Sequence, residues 1–292
     1  MNDAPARIPV IPVLLYHAVM ADPPAWIAEF TVTPGDFAAH LDAVVASGRT
    51  PVPVSTLAEH LAEHPTGHVP GHVPGDRADS RAPLPHRPVV LTFDDGFADL
   101  PGPTAEALAA RDLPATAYLT TGAITPGRTS LLPPAPMMTL TQATRLAGHG
   151  VEVGAHTVTH PQLDTLSAPA LHRELREAKD ALEDTLGHRV SHLAYPHGYN
   201  SRAVRRAAAD AGYASAVAVR HALSSERDEP YRIARLIVRR THTVADIESW
   251  MAGEGARGER TKVAPFPDSL PTLGWRLYRG ARARVRGPEF AG

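Results

Sequence analysis

Apolar positions along the chain fall into two rhythms. Val89-Val90-Leu91 and Val151-Glu152-Val153-Gly154-Ala155 are short, β-branched runs, and residues 10–19, 115–120, 192–195, 214–219 and 233–238 have the same character, which predicts strands. Between them the spacing turns helical. Phe37, Leu41, Val44 and Val45 recur on one face after Thr33-Pro34, and a helix around residues 57–61 follows a short strand expected at 52–54. The clearest helix is 167–186. Ser167 stands at its cap, Pro169 in its first turn, Leu171, Leu175, Ala178, Leu182 and Leu186 form its buried stripe, and Gly187 stops it. Its Glu and Lys side chains are expected on a solvated face. Strands and helices alternate through seven or eight strands, so the predicted fold is α/β, a distorted (β/α) barrel of about seven strands.

Two stretches break that alternation. Residues 65–88 repeat Gly67-His68-Val69-Pro70 as Gly71-His72-Val73-Pro74 and continue as a polar, Pro-rich run, the composition of a flexible surface loop. His68 and His72 have i,i+4 spacing, but no carboxylate accompanies them and they are not expected to bind metal. At the other end, Arg276, Arg279, Arg282, Arg284 and Arg286 crowd the last residues. The expected organisation is one domain over residues 1–255 and an Arg-rich tail over 256–292, solvated and partly disordered, with attraction to an anionic partner as the alternative.

Composition excludes more than it assigns. The chain has 292 residues, 43% of them hydrophobic, a net charge of −2 and no cysteine, enough for one α/β core and with nothing to suggest a nucleic-acid partner. Residues 10–19 are interrupted by Pro12 and His17 and lack a small-residue cleavage pattern, so they read as a first strand and not as a signal peptide. No apolar run is long enough to span a bilayer. A cytoplasmic location is the resulting expectation; oligomeric state is left open.

The chemistry lies where two predicted strands end. Leu91-Thr92-Phe93-Asp94-Asp95-Gly96 places adjacent carboxylates at a strand's carboxyl end, where they repel each other and call for a cation to keep both ionised. The strand at Val151 runs into His156-Thr157-Val158-Thr159-His160-Pro161. Two imidazoles and one carboxylate make three ligands with room for water, the form of a catalytic rather than a structural zinc site. A zincin would carry Glu after its first His; Thr157 stands there, so the base must come from elsewhere, and Asp94 beside the ligand Asp95 is the candidate.

These residues resemble the first two motifs of the polysaccharide deacetylases, the NodB-homology group of carbohydrate esterase family 4. The resemblance extends to Leu15-Tyr16-His17, Ala194-Tyr195-Pro196-His197-Gly198 and Ile233-Ala234-Arg235, covers about residues 10 to 250, and is closest to the branch containing the poly-N-acetylglucosamine deacetylases. It implies a seven-stranded barrel and a metal-dependent hydrolase that removes N-acetyl groups from an N-acetylated sugar or glycan, releasing acetate and a free amine. It further implies Asp95, His156 and His160 as ligands of a divalent ion, most simply Zn²⁺ with Co²⁺ or Ni²⁺ as alternatives, and Asp94 as base. The backbone N–H of His197 would stabilise the oxyanion, with Tyr195 and Pro196 facing substrate.

The chain also departs from the commoner pattern. The third motif usually has an Arg two residues before its Pro, where Ala194 stands here; Arg235 resembles the residue by which this branch restores that contact, and is expected to pair with Asp94. The usual C-terminal Leu-x-His general acid is not evident. His17 is the first choice to replace it, then His242, then His197. Two other readings stay open: an amidohydrolase of a non-carbohydrate amide or cyclic imide on the same fold, and a catalytically silent carbohydrate-binding protein.

Overall fold

The structure is a computed structural model that describes residues 9–63, 84–255, 262–263, 270–287 and 290. The repeated Gly-His-Val-Pro segment, with His68 and His72, lies outside the described residues.

Eleven short strands carry the architecture among the described residues: β1 (Val10–Ile11), β2 (Val13–Tyr16), β3 (Thr50–Pro51), β4 (Pro88–Phe93), β5 (Ala115–Leu119), β6 (Val151–Ala155), β7 (His192–Ala194), β8 (Ser215–Val217), β9 (Ala222–Ser225), β10 (Leu236–Ile237) and β11 (Lys262–Val263). Seven of them form one curled parallel sheet in the order β10-β2-β4-β5-β6-β7-β8, and β3 pairs with the start of β4. The distorted seven-stranded barrel expected from the sequence is present. Its two edges meet across the chain segment before β10. Ile233 bridges to Val217 of β8, while Leu236 and Ile237 pair with Leu14 and Leu15 of β2. A smaller sheet, β1-β9-β11, stands apart.

The period-2 alternation of each strand separates two cores. Leu14, Tyr16, Leu91, Phe93, Ala117, Leu119, Val153 and Leu193 face outward and pack in one continuous apolar cluster with helix residues such as Leu171, Leu175 and Leu182. Val13, Val90, Tyr118, Ala194, Val217 and Ile233 have the opposite parity and form a second cluster with Val54, Leu57, Ala58 and Leu61. The helix Val54–Glu63 therefore closes the barrel interior at the end where the strands begin. Its first turn is tied there by Val54 N–H to Thr116 Oγ1 (3.0 Å) and Ser55 N–H to Glu152 Oε2 (3.3 Å). At about 1.5–3 kcal/mol for each fully buried large apolar side chain, these two clusters dominate the folding free energy.

Several expectations need correcting. The strand expected at 52–54 lies at Thr50–Pro51, because Val54 already begins a helix. Val45 is exposed rather than part of its helix's buried face. Ser167 occupies the N-cap of the helix Ala168–Leu186, but its hydroxyl makes no capping bond. Lys179 of that helix is buried, not solvated, and its ammonium reaches Glu183 and the Val190 carbonyl. Finally, residues 270–286 within the Arg-rich tail form a helix, and Arg279 is buried against Asp164 rather than solvated.

Candidate active site

β4 delivers the aspartate pair. Asp94 continues the strand by hydrogen bonding its N–H to Tyr16 O (3.0 Å), and it keeps the inward parity of Val90 and Thr92. Asp95 then turns the chain with φ 73°, followed by Gly96 with φ 96°. A side chain at Gly96 would place its Cβ 3.0 Å from Ile124 and 3.3 Å from Leu119, so the turn requires glycine for space as well as for φ.

Arg235 enters from the seam where the barrel edges meet. It is fully buried and forks onto Asp94, Nη1 to Oδ1 and Nη2 to Oδ2, both at 2.7 Å. Nε donates to Ala218 O (3.1 Å), and Nη1 also reaches Thr92 Oγ1 (3.1 Å), whose own hydroxyl donates to Leu14 O. A buried bidentate pair with four of the five guanidinium N–H groups engaged is the geometry in which such an ion pair is tolerated and directional.

β6 delivers the histidines. His156 Nδ1 lies 2.8 Å from Ala194 O, which fixes that nitrogen as the N–H and leaves Nε2 a lone pair directed at the aspartates. His156 Nε2 is 3.5 Å and His160 Nε2 3.4 Å from Asp95 Oδ1. That oxygen is buried with no hydrogen-bond partner, between two imidazole nitrogens. An orphaned carboxylate oxygen facing two lone pairs suits a divalent cation, and Asp95, His156 and His160 form one group able to hold an ion.

The loop bearing the histidines is clamped from two sides. Glu174, on the helix Ala168–Leu186, accepts from Val158 N–H (2.9 Å), Thr159 N–H (2.9 Å) and Thr159 Oγ1 (2.7 Å). Opposite, the N–H groups of Thr121, Gly122 and Leu131 donate to the carbonyls of Thr157, Val158 and Thr159. Gly122 has no space for a Cβ, which would lie 2.5 Å from Val158 O. Strain collects at the site: among the described residues, Asp95, Thr157, His160 and His197 are four of the seven non-glycine residues with left-handed φ.

Electrostatics separates the two aspartates. Burial acts to raise the pKa of Asp94, but the Arg235 charge, with His156, outweighs it and holds the carboxyl below its ordinary range. Asp95 is pushed well up by burial and then by the Asp94 charge, against which Arg235 is a weaker influence. It is the carboxylate in need of a cation. Burial lowers the pKa of the four imidazoles at the site: His156 below its ordinary value, His160 well below it, with His156 and His197 adding to the effect, and His17 and His197 each to about 4. Neutral imidazoles are the ligating form.

The sequence-derived candidates are distributed as follows. His17 follows β2 directly, its ring 5.4 Å from Phe30, close enough to Asp94, Arg235 and His156 to feel their charges. His197 lies with its ring 4.7 Å from that of His160, in a turn closed by Gly198 N–H to Tyr195 O. No described residue accepts a hydrogen bond from its own N–H. His242 belongs to a different cluster, stacked on His221 at 5.8 Å and edge-on to Trp250 at 4.8 Å. Tyr195 and Pro196 are buried; the Tyr195 hydroxyl donates to Tyr231 O, and the pair sets the His197 turn.

Some contributors carried no sequence signal. Glu174 reads as one more solvated helix glutamate. The sequence shows no aromatic cluster in its loops, yet Trp26, Tyr199 and Phe290 converge: the Phe290 ring lies 5.3 Å from Trp26, 5.6 Å from His197 and 6.0 Å from His160, and Tyr199 lies 6.1 Å from His197.

With this geometry in view, the chain can be compared with known proteins. Residues 81–216 match the family model described as polysaccharide deacetylase. YxkH of Bacillus subtilis (strain 168), assigned by name to the polysaccharide deacetylases, is 25% identical over 150 residues, 51% of each protein, so the chain spans about half the length of that curated relative. Among solved structures, the Streptococcus pyogenes deacetylase PplD in complex with acetate superposes with a TM-score of 0.65 at 23% identity, covering 82% of this chain and 96% of that one. IcaB from Ammonifex degensii gives a TM-score of 0.63 at 20% identity, covering 83% and 96%. The structural likenesses establish the fold. The family match begins ahead of β4 and runs into β8, taking in both the aspartate turn and the histidine loop, so residues 81–216 are similar in sequence to a polysaccharide deacetylase domain on a fold shared with solved deacetylases.

Proposed function

We propose that this protein is a metal-dependent N-deacetylase of an N-acetylated amino sugar or glycan, releasing acetate and a free amine. The observation that carries the reading is the division of labour between neighbouring carboxylates: Asp95 Oδ1 stands orphaned between two imidazole nitrogens, and Asp94 is held ionised by the Arg235 fork.

A divalent ion on Asp95, His156 and His160, with Zn²⁺ as first choice and Co²⁺ or Ni²⁺ as alternatives, would supply Lewis acidity toward the acetamide carbonyl and a water molecule. The rest falls to side chains and backbone. Asp94 accepts the proton of the attacking water, and Arg235 keeps its carboxylate ionised and fixed in orientation until then. The His197 N–H, which no described residue engages, donates to the developing oxyanion. The leaving nitrogen needs one proton, and the proton taken by Asp94 balances it. His17 enters neutral, because burial holds its pKa near 4, and is our choice to hand that proton on.

The discriminating experiment measures metal content as purified and acetate release from a panel of N-acetylhexosamines and N-acetylated oligosaccharides, before and after chelation. Stoichiometric metal, loss of activity on chelation and recovery with Zn²⁺ are expected. Hydrolysis that survives chelation would sink the metal-dependent reading. Metal-dependent cleavage of cyclic imides without acetate release would move the protein to the non-carbohydrate amidohydrolases, and a metal-loaded but inert protein that binds glycan would be the silent form.

Arg235→Met should leave metal content unchanged and shift the acidic limb of the kcat/KM profile upward by on the order of one to three pH units. The sign follows from Asp94: a positive neighbour lowers its pKa, so removing that neighbour makes the proton harder to lose and extends the inactive, protonated form to higher pH. Arg235→Lys keeps the charge without the fork and should give a smaller shift. An unmoved acidic limb in both variants would make Arg235 a purely structural residue.

A further inference from the structure

The C-terminal helix Leu270–Arg286 is built inside out. Among the described residues only six large hydrophobic side chains are exposed, and four of them are on this helix: Trp275 (52%), Leu277 (67%), Tyr278 (55%) and Val285 (85%). Its buried side carries a charge instead. Arg279 forks onto Asp164 at 2.7 and 2.8 Å, reaches Gln162 Oε1 at 3.0 Å, and lies 3.5 Å above the Tyr199 ring. On a helical wheel Leu277, Tyr278 and Val285 share the outward face, Trp275 sits at its margin, and the exposed Arg282 and Arg286 flank it on the same side. The Trp275 and Tyr278 rings stack at 5.4 Å.

An apolar face turned away from its own protein calls for a partner. The charge identifies the kind. Residues 270–286 contain no Asp or Glu, and the exposed Arg282 and Arg286 border the apolar face, so two copies of the helix laid face to face would set like charges against each other along its rim. A surface with anionic head groups above an apolar layer complements the arrangement: Leu277 and Val285 enter the acyl boundary, Trp275 and Tyr278 take the head-group level, and the arginines meet phosphates. We propose that this helix docks the protein on an anionic lipid bilayer, lying along the surface; no helix among the described residues is long and apolar enough to cross one. Because Tyr199 links the helix to the His197 turn, docking holds the mouth of the active site beside the head groups.

The test uses the full chain and measures binding, so it is independent of any catalytic reading. Vesicles of phosphatidylcholine alone and of phosphatidylcholine with phosphatidylglycerol are compared by flotation and by tryptophan emission. Binding to the anionic vesicles, a blue shift, and weakening with added salt are expected. Leu277→Ser with Val285→Ser should reduce binding at least about tenfold, and Arg282→Gln and Arg286→Gln about fivefold for each charge. These positions are exposed, and circular dichroism checks that each variant is folded. Equal binding to both vesicles, no binding at low salt, or binding unchanged in the double serine variant would overturn the proposal. A concentration-dependent dimer abolished by Leu277→Ser would assign the face to a second copy and overturn it equally.

Discussion

Asp94→Asn is expected to retain metal at the wild-type level and lose about 10²–10⁴-fold in turnover. The amide fills the same space and can still meet Arg235 through its oxygen, but it cannot accept the proton of the attacking water. Nothing in the change touches the three atoms that would hold the ion, Asp95 Oδ1 and the Nε2 atoms of His156 and His160. Metal content by elemental analysis and kcat on the best substrate of the panel are read on the same preparation. If Asp94→Asn loses its metal as completely as Asp95→Asn, the roles given to the two carboxylates are wrong.

Asp95→Asn, His156→Ala and His160→Ala should each lose metal and activity together, down to background. Three ligands leave no reserve, since removing one leaves two donors and an open, hydrated face. Glu174→Ala extends the test beyond the ligands. It removes the acceptor for two backbone N–H groups and one hydroxyl of the histidine loop, so metal should bind on the order of 10–100-fold more weakly while the ligands themselves remain intact. Wild-type metal affinity in Glu174→Ala would show that the loop is rigid without its clamp; activity in His156→Ala would remove the metal site from the mechanism.

The sequence made some of this legible and hid the rest for identifiable reasons. The strands were readable because a barrel strand is apolar on both sides, one facing the helices and one the interior, and the carboxyl ends of β4 and β6 followed from where the apolar runs stop. Asp94, Asp95, His156 and His160 could be placed from those two ends alone. The contribution of Glu174 could not, because a helix glutamate facing solvent and one facing a loop have the same local pattern. Lys179 was hidden for the same reason: its stem is buried while its ammonium finds Glu183 and a carbonyl. Trp26, Tyr199 and Phe290 are too far apart in sequence to look like a cluster. The C-terminal segment misled in a further way, since arginine density resembles a solvated tail when the helix beneath it presents its apolar side outward.

The seam of the barrel sets the order in which the enzyme can come into being. β2 precedes the other strands of its sheet in the chain, and its two neighbours follow at very different times: β4 soon after it, β10 last of the seven. Arg235 lies on the same late segment. Until it emerges, the nascent sheet has two open edges and the Asp94–Asp95 pair has no arginine to offset burial, so barrel closure and charge compensation are one event. A chain released before that segment cannot bury its carboxylates cheaply. A chain that lacks that segment would keep both strand edges unpaired, the feature that favours edge-to-edge aggregation.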